Sequence, residues 1–218
     1  MIKAVILDMD GTMIDTEMQS SLDWPAVAEK YGFEVDKQFI QRFLGLTGKV
    51  KTEKLATYLP ITVDVHEVMM YYHALTKERF KRDGIDMKTG LVELLEYCKS
   101  KSIKLAVASA SSYDRIINIL TDIGILTYFD MIVSGDMITR QKPDPEIYIL
   151  SAERLQLNYA ECIVIEDSRV GIASAHASTM QTILVPDVEE PDELMLSQSD
   201  YCVTSLHEAI GVIDALIS

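Results

Sequence analysis

The four residues Ala4-Val5-Ile6-Leu7 carry no polar side chain and stop abruptly at Asp8-Met9-Asp10-Gly11-Thr12-Met13-Ile14-Asp15. A short strand that is apolar on both faces has to be covered on both, which is the situation of a central strand in a parallel sheet. This restricts the chain to α/β architectures. It also puts Asp8 and Asp10 at the carboxyl end of such a strand, where open α/β sheets bind ligands. Side chains alternate along an extended chain, so Asp8 and Asp10 can enter one crevice while Met9 turns away. Gly11 allows a bend, and the backbone N–H groups near Gly11 and Thr12 are candidates to face an anion.

After Asp15 the periodicity is helical for about seventy residues. Thr16 is a plausible N-cap for a helix over residues 17–30 that ends at Gly32, with Pro25 kinking or dividing it. Helical pieces follow at 36–43 and 50–58, with Gly45 and Gly48 between them and Pro60 closing the run. Residues 63–82 repeat apolar side chains at helical spacing and stop at Gly84. Beyond Lys88 the pattern alternates. Strands are expected at 105–108, 131–133, 162–165, 182–185 and 201–203, with helices at 91–101, 113–122, 145–156, 169–177 and 205–216. Such alternation predicts a doubly wound, mostly parallel, Rossmann-like sheet. A crossover between neighbouring strands needs about a dozen residues, so the long stretch between Leu7 and Leu105 implies an insertion. The expected organisation is an α/β core of residues 1–14 and 86–218 and an inserted α-helical cap domain of residues 15–85, hanging over the carboxyl-end crevice.

Composition narrows the partners. With 218 residues, 48% of them hydrophobic, the chain can bury a large core. A net charge of -14 disfavours nucleic acid and anionic membrane, and favours a small-molecule substrate. Cys98, Cys162 and Cys202 have no metal-ligand spacing and read as reduced thiols of a cytoplasmic protein. The four histidines form no ligand motif, no stretch reaches membrane-spanning length, and a monomer is expected.

Three later strand ends carry polar residues. Ser109 opens Ala110-Ser111-Ser112, whose backbone N–H groups precede a helix; taken alone, Ser109 reads as a cap. Lys142 precedes Pro143-Asp144-Pro145, a fixed turn; taken alone, it reads as a solvated lysine. Glu166-Asp167-Ser168 follows an apolar strand and suits a helix cap equally well. Together they say more. If Asp8, Asp10, Glu166 and Asp167 converge, each like-charge pair at about 4 Å costs on the order of 4 kcal/mol at an effective dielectric near 20. Either the carboxyls take up protons or a cation sits among them, and hard oxygen donors without His or Cys select Mg2+. Ser109, Lys142 and the N–H groups near Thr12 then complement a phosphoryl group.

In order and spacing, Asp8-Met9-Asp10-Gly11-Thr12, Ser109, Lys142-Pro143 and Glu166-Asp167-Ser168 resemble the four motifs of the haloacid dehalogenase superfamily. The likeness extends to the helical insertion after the first motif. Within the superfamily the chain looks most like the branch of small sugar-phosphate phosphatases and beta-phosphoglucomutase, through Ala108 to Ser111 and Glu166 to Ser168. The resemblance implies a phosphoric monoester hydrolase in which Asp8 is the nucleophile, forming an aspartyl-phosphate, and Asp10 the acid and base for the leaving oxygen and the incoming water. It implies Mg2+ held by Asp8, the Asp10 carbonyl and Asp167, with Glu166 ligating directly or through water. Thr12, Ser109, Ala110 and Lys142 are then the phosphate-binding residues. Asp10 argues against dehalogenation, since a halide leaves without a proton.

Three alternatives bear on the activity. A beta-phosphoglucomutase-like phosphomutase is weakened by Ser20, where the mutases carry a histidine, and by Gly48, where they carry an arginine in the cap; Lys49 and Lys51 are the nearby candidates for a distal phosphate. A receiver-type phosphoacceptor domain lacks the Asp-x-Asp order at the first strand and the helical insertion. A non-catalytic protein that keeps the fold is disfavoured because no motif residue is lost. The expected activity is a Mg2+-dependent phosphatase acting on a small phosphorylated metabolite. Gln19, Asp23, Trp24, Lys49 and Lys51 are candidates for its selectivity, with Trp24 better suited to the cap interior.

Overall fold

The computed structural model describes the chain except Gly45, Thr47 and Ser218, and of Gly48 and Lys49 it describes the backbone alone. The expectations for Gly45 and for the Lys49 side chain therefore lie outside the described residues. The chain divides into two compact units, Met1–Ile14 with Met87–Ser218, and Asp15–Asp86.

The first unit begins with β1 (Ala4–Leu7), whose four side chains have no solvent exposure. The second unit then holds α1 (Thr16–Ser21), α2 (Trp24–Tyr31), α3 (Lys37–Phe43), α4 (Gly48–Ala56) and α5 (Val65–Asp83). Its caps follow from short acidic side chains. Asp15, Asp36 and Asp64 accept from the N–H groups of Met18, Phe39 and His66 at the starts of α1, α3 and α5. Asp15 thus takes the capping place expected of Thr16, which is the first helical residue. Pro25 divides the expected single helix, because a proline fits only where an N–H is not needed, at the beginning of α2. Trp24 is buried at the centre of this unit, stacked on Tyr72 at 4.1 Å and edge-on to Phe39 and Phe43 at 5.3 and 5.4 Å. Asp23 is buried against Arg79 at 2.7 Å. Gln19 bonds the Gly84 carbonyl and the Asp86 N–H, joining the two ends of the unit. Lys51 is buried, with Glu17 at 3.7 Å.

The first unit resumes with α6 (Leu91–Ser100), β2 (Lys104–Ser109), α7 (Tyr113–Asp122), β3 (Met131–Ser134) and α8 (Glu146–Leu155). It ends with β4 (Cys162–Glu166), α9 (Arg169–Ala177), β5 (Gln181–Leu184), α10 (Glu193–Gln198), β6 (Tyr201–Cys202) and α11 (Leu206–Ile217). The sheet order is β3-β2-β1-β4-β5-β6 with every pairing parallel, as the doubly wound expectation required. The order reverses beside β1, and at such a switch point the loops leave a crevice at the carboxyl ends. Register fixes what lines it. Leu7 pairs with Val107 and with Ile165, so Asp8 emerges level with Ala108 and Glu166. Ile6, Ala106 and Val164 pack with Ile147 and Tyr148 of α8 in one core cluster, each large aliphatic side chain contributing about 1.5–3 kcal/mol by burial. The short helix α10 was not expected from the sequence. Among the described residues no helix is long and apolar enough to cross a membrane.

Candidate active site

Lys142 sits at the middle of the strand ends. Its Nζ donates to Asp8 Oδ1 and to Glu166 Oε1, both at 2.6 Å, and to the Ala108 carbonyl at 3.4 Å. The loop that delivers it is pinned on both sides. Ser174 of α9 donates to the Asp144 carbonyl at 2.7 Å, and Glu146 accepts from the main chain of Thr139 and Arg140. These bonds pull the Glu146 carboxyl down to about 2, the Thr139 N–H contributing most. A carboxyl lowered in the fold stabilises above its unfolded value near 4.5 and loses that contribution as pH falls toward 2. Urea midpoints should therefore drop across this window more steeply for the wild type than for Glu146→Gln; parallel curves would refute the assignment.

Side-chain exposure of Lys142 is 7%, so the solvated-lysine reading does not hold. Burial alone would discharge such a group, but Asp8 and Glu166 outweigh it and keep the ammonium charged. Asp8 behaves oppositely. Burial pushes its carboxyl from 3.8 to about 7 against the pull of Lys142, with the Glu166 charge adding to the rise.

Glu166 is enclosed by donors. Oε1 accepts from Lys142 and from the Tyr148 hydroxyl at 2.9 Å. Oε2 accepts from the N–H groups of Asp167 and Ser168 at 2.9 Å and from the Ser168 hydroxyl at 3.0 Å. Burial raises this carboxyl, yet Lys142 and the other donors bring it below its ordinary value. Gly171 makes the room, since a Cβ there would lie 1.8 Å from Glu166 Oε1. Helix propensity favours Ala over Gly inside α9 by about 1 kcal/mol, but overpacking costs about 1–3 kcal/mol and displaces the carboxylate. Gly171→Ala should therefore lower both melting temperature and activity; a gain in stability with full activity would show that the pocket yields.

Asp167 accepts from the Thr12 hydroxyl at 2.7 Å. Gly11 has φ +92°, and a Cβ on it would lie 2.3 Å from Asp167 Oδ2, so this turn suits glycine twice over. Burial, then the charges of Glu166 and Asp8, hold the Asp167 carboxyl well above its usual range. The Gly11 N–H is spent on the Ile14 carbonyl, which removes it from the expected anion donors. Ser109 is buried and its Oγ accepts from the Ser111 N–H at 3.1 Å. Ala110 stays exposed at the same strand end, its carbonyl lying over Gly135, where a Cβ would come within 2.3 Å.

Asp10 departs from the expected cluster. Both of its carboxylate oxygens accept from Arg115, at 2.6 and 2.8 Å, and Oδ2 also accepts from the Ser111 hydroxyl at 3.2 Å. The Asp10 charge nevertheless bears on Asp8 and adds to the rise of its carboxyl. Among the described residues no three His, Cys, Asp or Glu side chains converge as a metal site. Arg115 holds the Asp10 carboxylate and five donors hold Glu166, while Asp8 and Asp167 act on one another as neighbouring hard donors.

The sequence pattern described as haloacid dehalogenase-like hydrolase matches residues 5–185. The chain belongs to that family. Among curated relatives, a phosphorylated carbohydrates phosphatase of Thermotoga maritima is 33% identical over 181 residues, covering 83% of each chain. A fructose-1-phosphate phosphatase of Escherichia coli is 29% identical over 183 residues, 82% of this chain and 94% of that one. A solved Thermotoga maritima structure described as a candidate beta-phosphoglucomutase superposes with TM-score 0.86 at 30% identity, covering 98% of this chain and 99% of that one.

Within this haloacid dehalogenase-like unit, sequence reasoning missed Tyr148, Gly171 and Arg115, and gave Ser111 a backbone role without the hydroxyl that donates to Asp10. Ser111 lies just before the Ser112 cap of α7 and Arg115 lies in the first turn, so the helix start brings both to Asp10. Tyr148 offered no signal, because a buried tyrosine on an apolar helix face reads as core.

Proposed function

We propose that this protein is a Mg2+-dependent phosphatase of small phosphorylated metabolites, sugar phosphates in the first place, working through an aspartyl-phosphate at Asp8. The observation that carries the proposal is Lys142 held between Asp8 and Glu166 at the carboxyl end of β1. The names of the relatives support the substrate class.

The donor set fits the metal. Asp8 and Asp167 are buried neighbours whose carboxyls are both raised, and Gly11 leaves Asp167 Oδ2 the space a side chain would take. One or two carboxylates completed by water and phosphate oxygen is the habit of Mg2+. Asp8 and Asp167 would hold it with the Asp10 carbonyl, and when bound it supplies charge neutralisation that lets an anionic nucleophile approach an anionic ester. Asp8 attacks phosphorus, its Oδ–P bond forming as the bond to the ester oxygen breaks. Asp10 gives its proton to that oxygen, then takes one from the water that attacks the aspartyl-phosphate, releasing inorganic phosphate. Lys142, Ser109, Thr12 and the backbone at Ala110 position the phosphoryl oxygens.

Ser20 donates to the Glu17 carbonyl at 3.0 Å and is buried, an arrangement that gives it no proton-transfer role and favours hydrolysis over a mutase. The test is phosphate release from a chromogenic monoester and from hexose phosphates, with Mg2+ and with a chelator. Turnover that vanishes with the chelator is expected. A hexose 1-phosphate converted to its 6-phosphate without phosphate release would establish the mutase instead.

A further inference from the structure

Tyr148 has no part in the chemistry above, yet its buried phenol contacts two residues of the site. Its hydroxyl donates to Glu166 Oε1 at 2.9 Å, and the Lys142 ammonium lies over its ring, 4.9 Å from the centroid. Lys142 comes from the turn before α8 and Tyr148 from the first turn of that helix, so one short stretch of chain supplies both.

Each carboxylate oxygen offers about two lone-pair sites. Oε2 of Glu166 is filled by the N–H groups of Asp167 and Ser168 and by the Ser168 hydroxyl. On Oε1 the Tyr148 hydroxyl takes one site, which leaves the other to Lys142 at 2.6 Å. The ring closes off the ammonium on one side, since a buried cation is attracted to an aromatic face. With two N–H groups fixed by Glu166 and Asp8, the third has a single direction, here toward the Ala108 carbonyl at 3.4 Å. That longest contact is the one a phosphoryl oxygen can take over. Lysine needs such fencing, because its ammonium is a compact charge on a flexible four-carbon stem.

We infer that Tyr148 is a positioning residue that fixes the direction of the Lys142 ammonium, through its ring and through the one Glu166 site that its hydroxyl leaves open. The inference rests on the phosphatase reading above. Packing of the core asks only for the ring, so the hydroxyl is the part that serves the site.

The experiment measures phosphate release from a chromogenic monoester by the wild type, Tyr148→Phe and Tyr148→Leu, each also in a Lys142→Met background, with circular dichroism confirming each fold. Tyr148→Phe keeps the ring and loses the donor, and kcat should fall about tenfold, the worth of one hydrogen bond. Tyr148→Leu loses both and should fall about 100-fold, as a misplacement of about 1 Å does. In the Lys142→Met background neither change should lower kcat further, since the residue they act through is gone; a role in packing alone gives the same factor in both backgrounds. A second reading needs neither metal nor substrate. The Lys142 ammonium, held by three acceptors, should give a slowly exchanging nuclear magnetic resonance signal in the wild type and a faster exchanging one in Tyr148→Phe. Full kcat in both Tyr148 variants, equal losses in the two backgrounds, or an ammonium signal that Tyr148→Phe leaves unchanged overturns the inference and leaves the phosphatase reading standing. No phosphate released by the wild type overturns both.

Discussion

Asp8→Asn should abolish phosphate release while making the protein more stable at neutral pH. The amide keeps the shape of the side chain, and its oxygen still accepts from Lys142, but it has no anion with which to attack phosphorus. Loss of a covalent nucleophile lowers turnover by about 10⁴-fold or more. Stability moves the other way because the buried Asp8 carboxyl titrates at about 7 instead of 3.8. At 1.36 kcal/mol for each pH unit of displacement, the ionised form carries a burden of at most about 4 kcal/mol. A carboxyl raised in the fold stabilises fully below its unfolded value near 3.8 and loses that contribution as pH rises through about 7. In a chelator, the advantage of the Asn variant should therefore be absent near pH 4, grow toward pH 7 and level off above it. Thermal melts across this range read it directly, at about 2–4 °C per kcal/mol for a chain of this size. An Asn variant no more stable than wild type at pH 8 would show that Asp8 is not the buried, unfavourably ionised group described here.

The sheet was legible because its signals are local. An apolar run such as Ala4 to Leu7 states its own burial, and Pro25 or Gly32 states a break without reference to any partner. α10 was missed because its six residues give less than two turns of periodicity, although Asp192 accepts from the Met195 N–H as a cap should. The site divided on the same line. Asp8, Thr12, Ser109, Lys142 and Glu166-Asp167 could be picked out as polar residues at strand ends. The partner each one holds could not, since Asp10 meets Arg115 across 105 residues and Lys142 meets Asp8 across 134. Four carboxylates look alike in a sequence. Only packing assigns Glu166 to holding Lys142 and Asp10 to Arg115.

The strongest check of that assignment is Lys142→Met, for which the expected changes are a fall in turnover of about 10³-fold and a fall in stability, opposite in sign to the effect of Asp8→Asn. Removing one donor to a developing oxyanion costs about 10²–10³-fold. A second loss adds to it, because Lys142 is what pulls Asp8 down against burial, and without it the nucleophile is protonated at neutral pH. That part of the loss is recoverable by raising the pH, whereas Asp8→Asn has nothing to recover. For stability, taking the cation from between two buried carboxylates leaves uncompensated charge, at about 3–5 kcal/mol when both remain ionised. Protonation of Asp8 limits the damage, so the destabilisation should be larger at pH 8 than at pH 5. The double variant Asp8→Asn with Lys142→Met removes one of the two stranded charges and should be more stable at pH 8 than Lys142→Met alone. Strict additivity of the two single effects would mean that Lys142 and Asp8 do not form the working pair, since residues in one ion-pair network couple by about 0.5–3 kcal/mol.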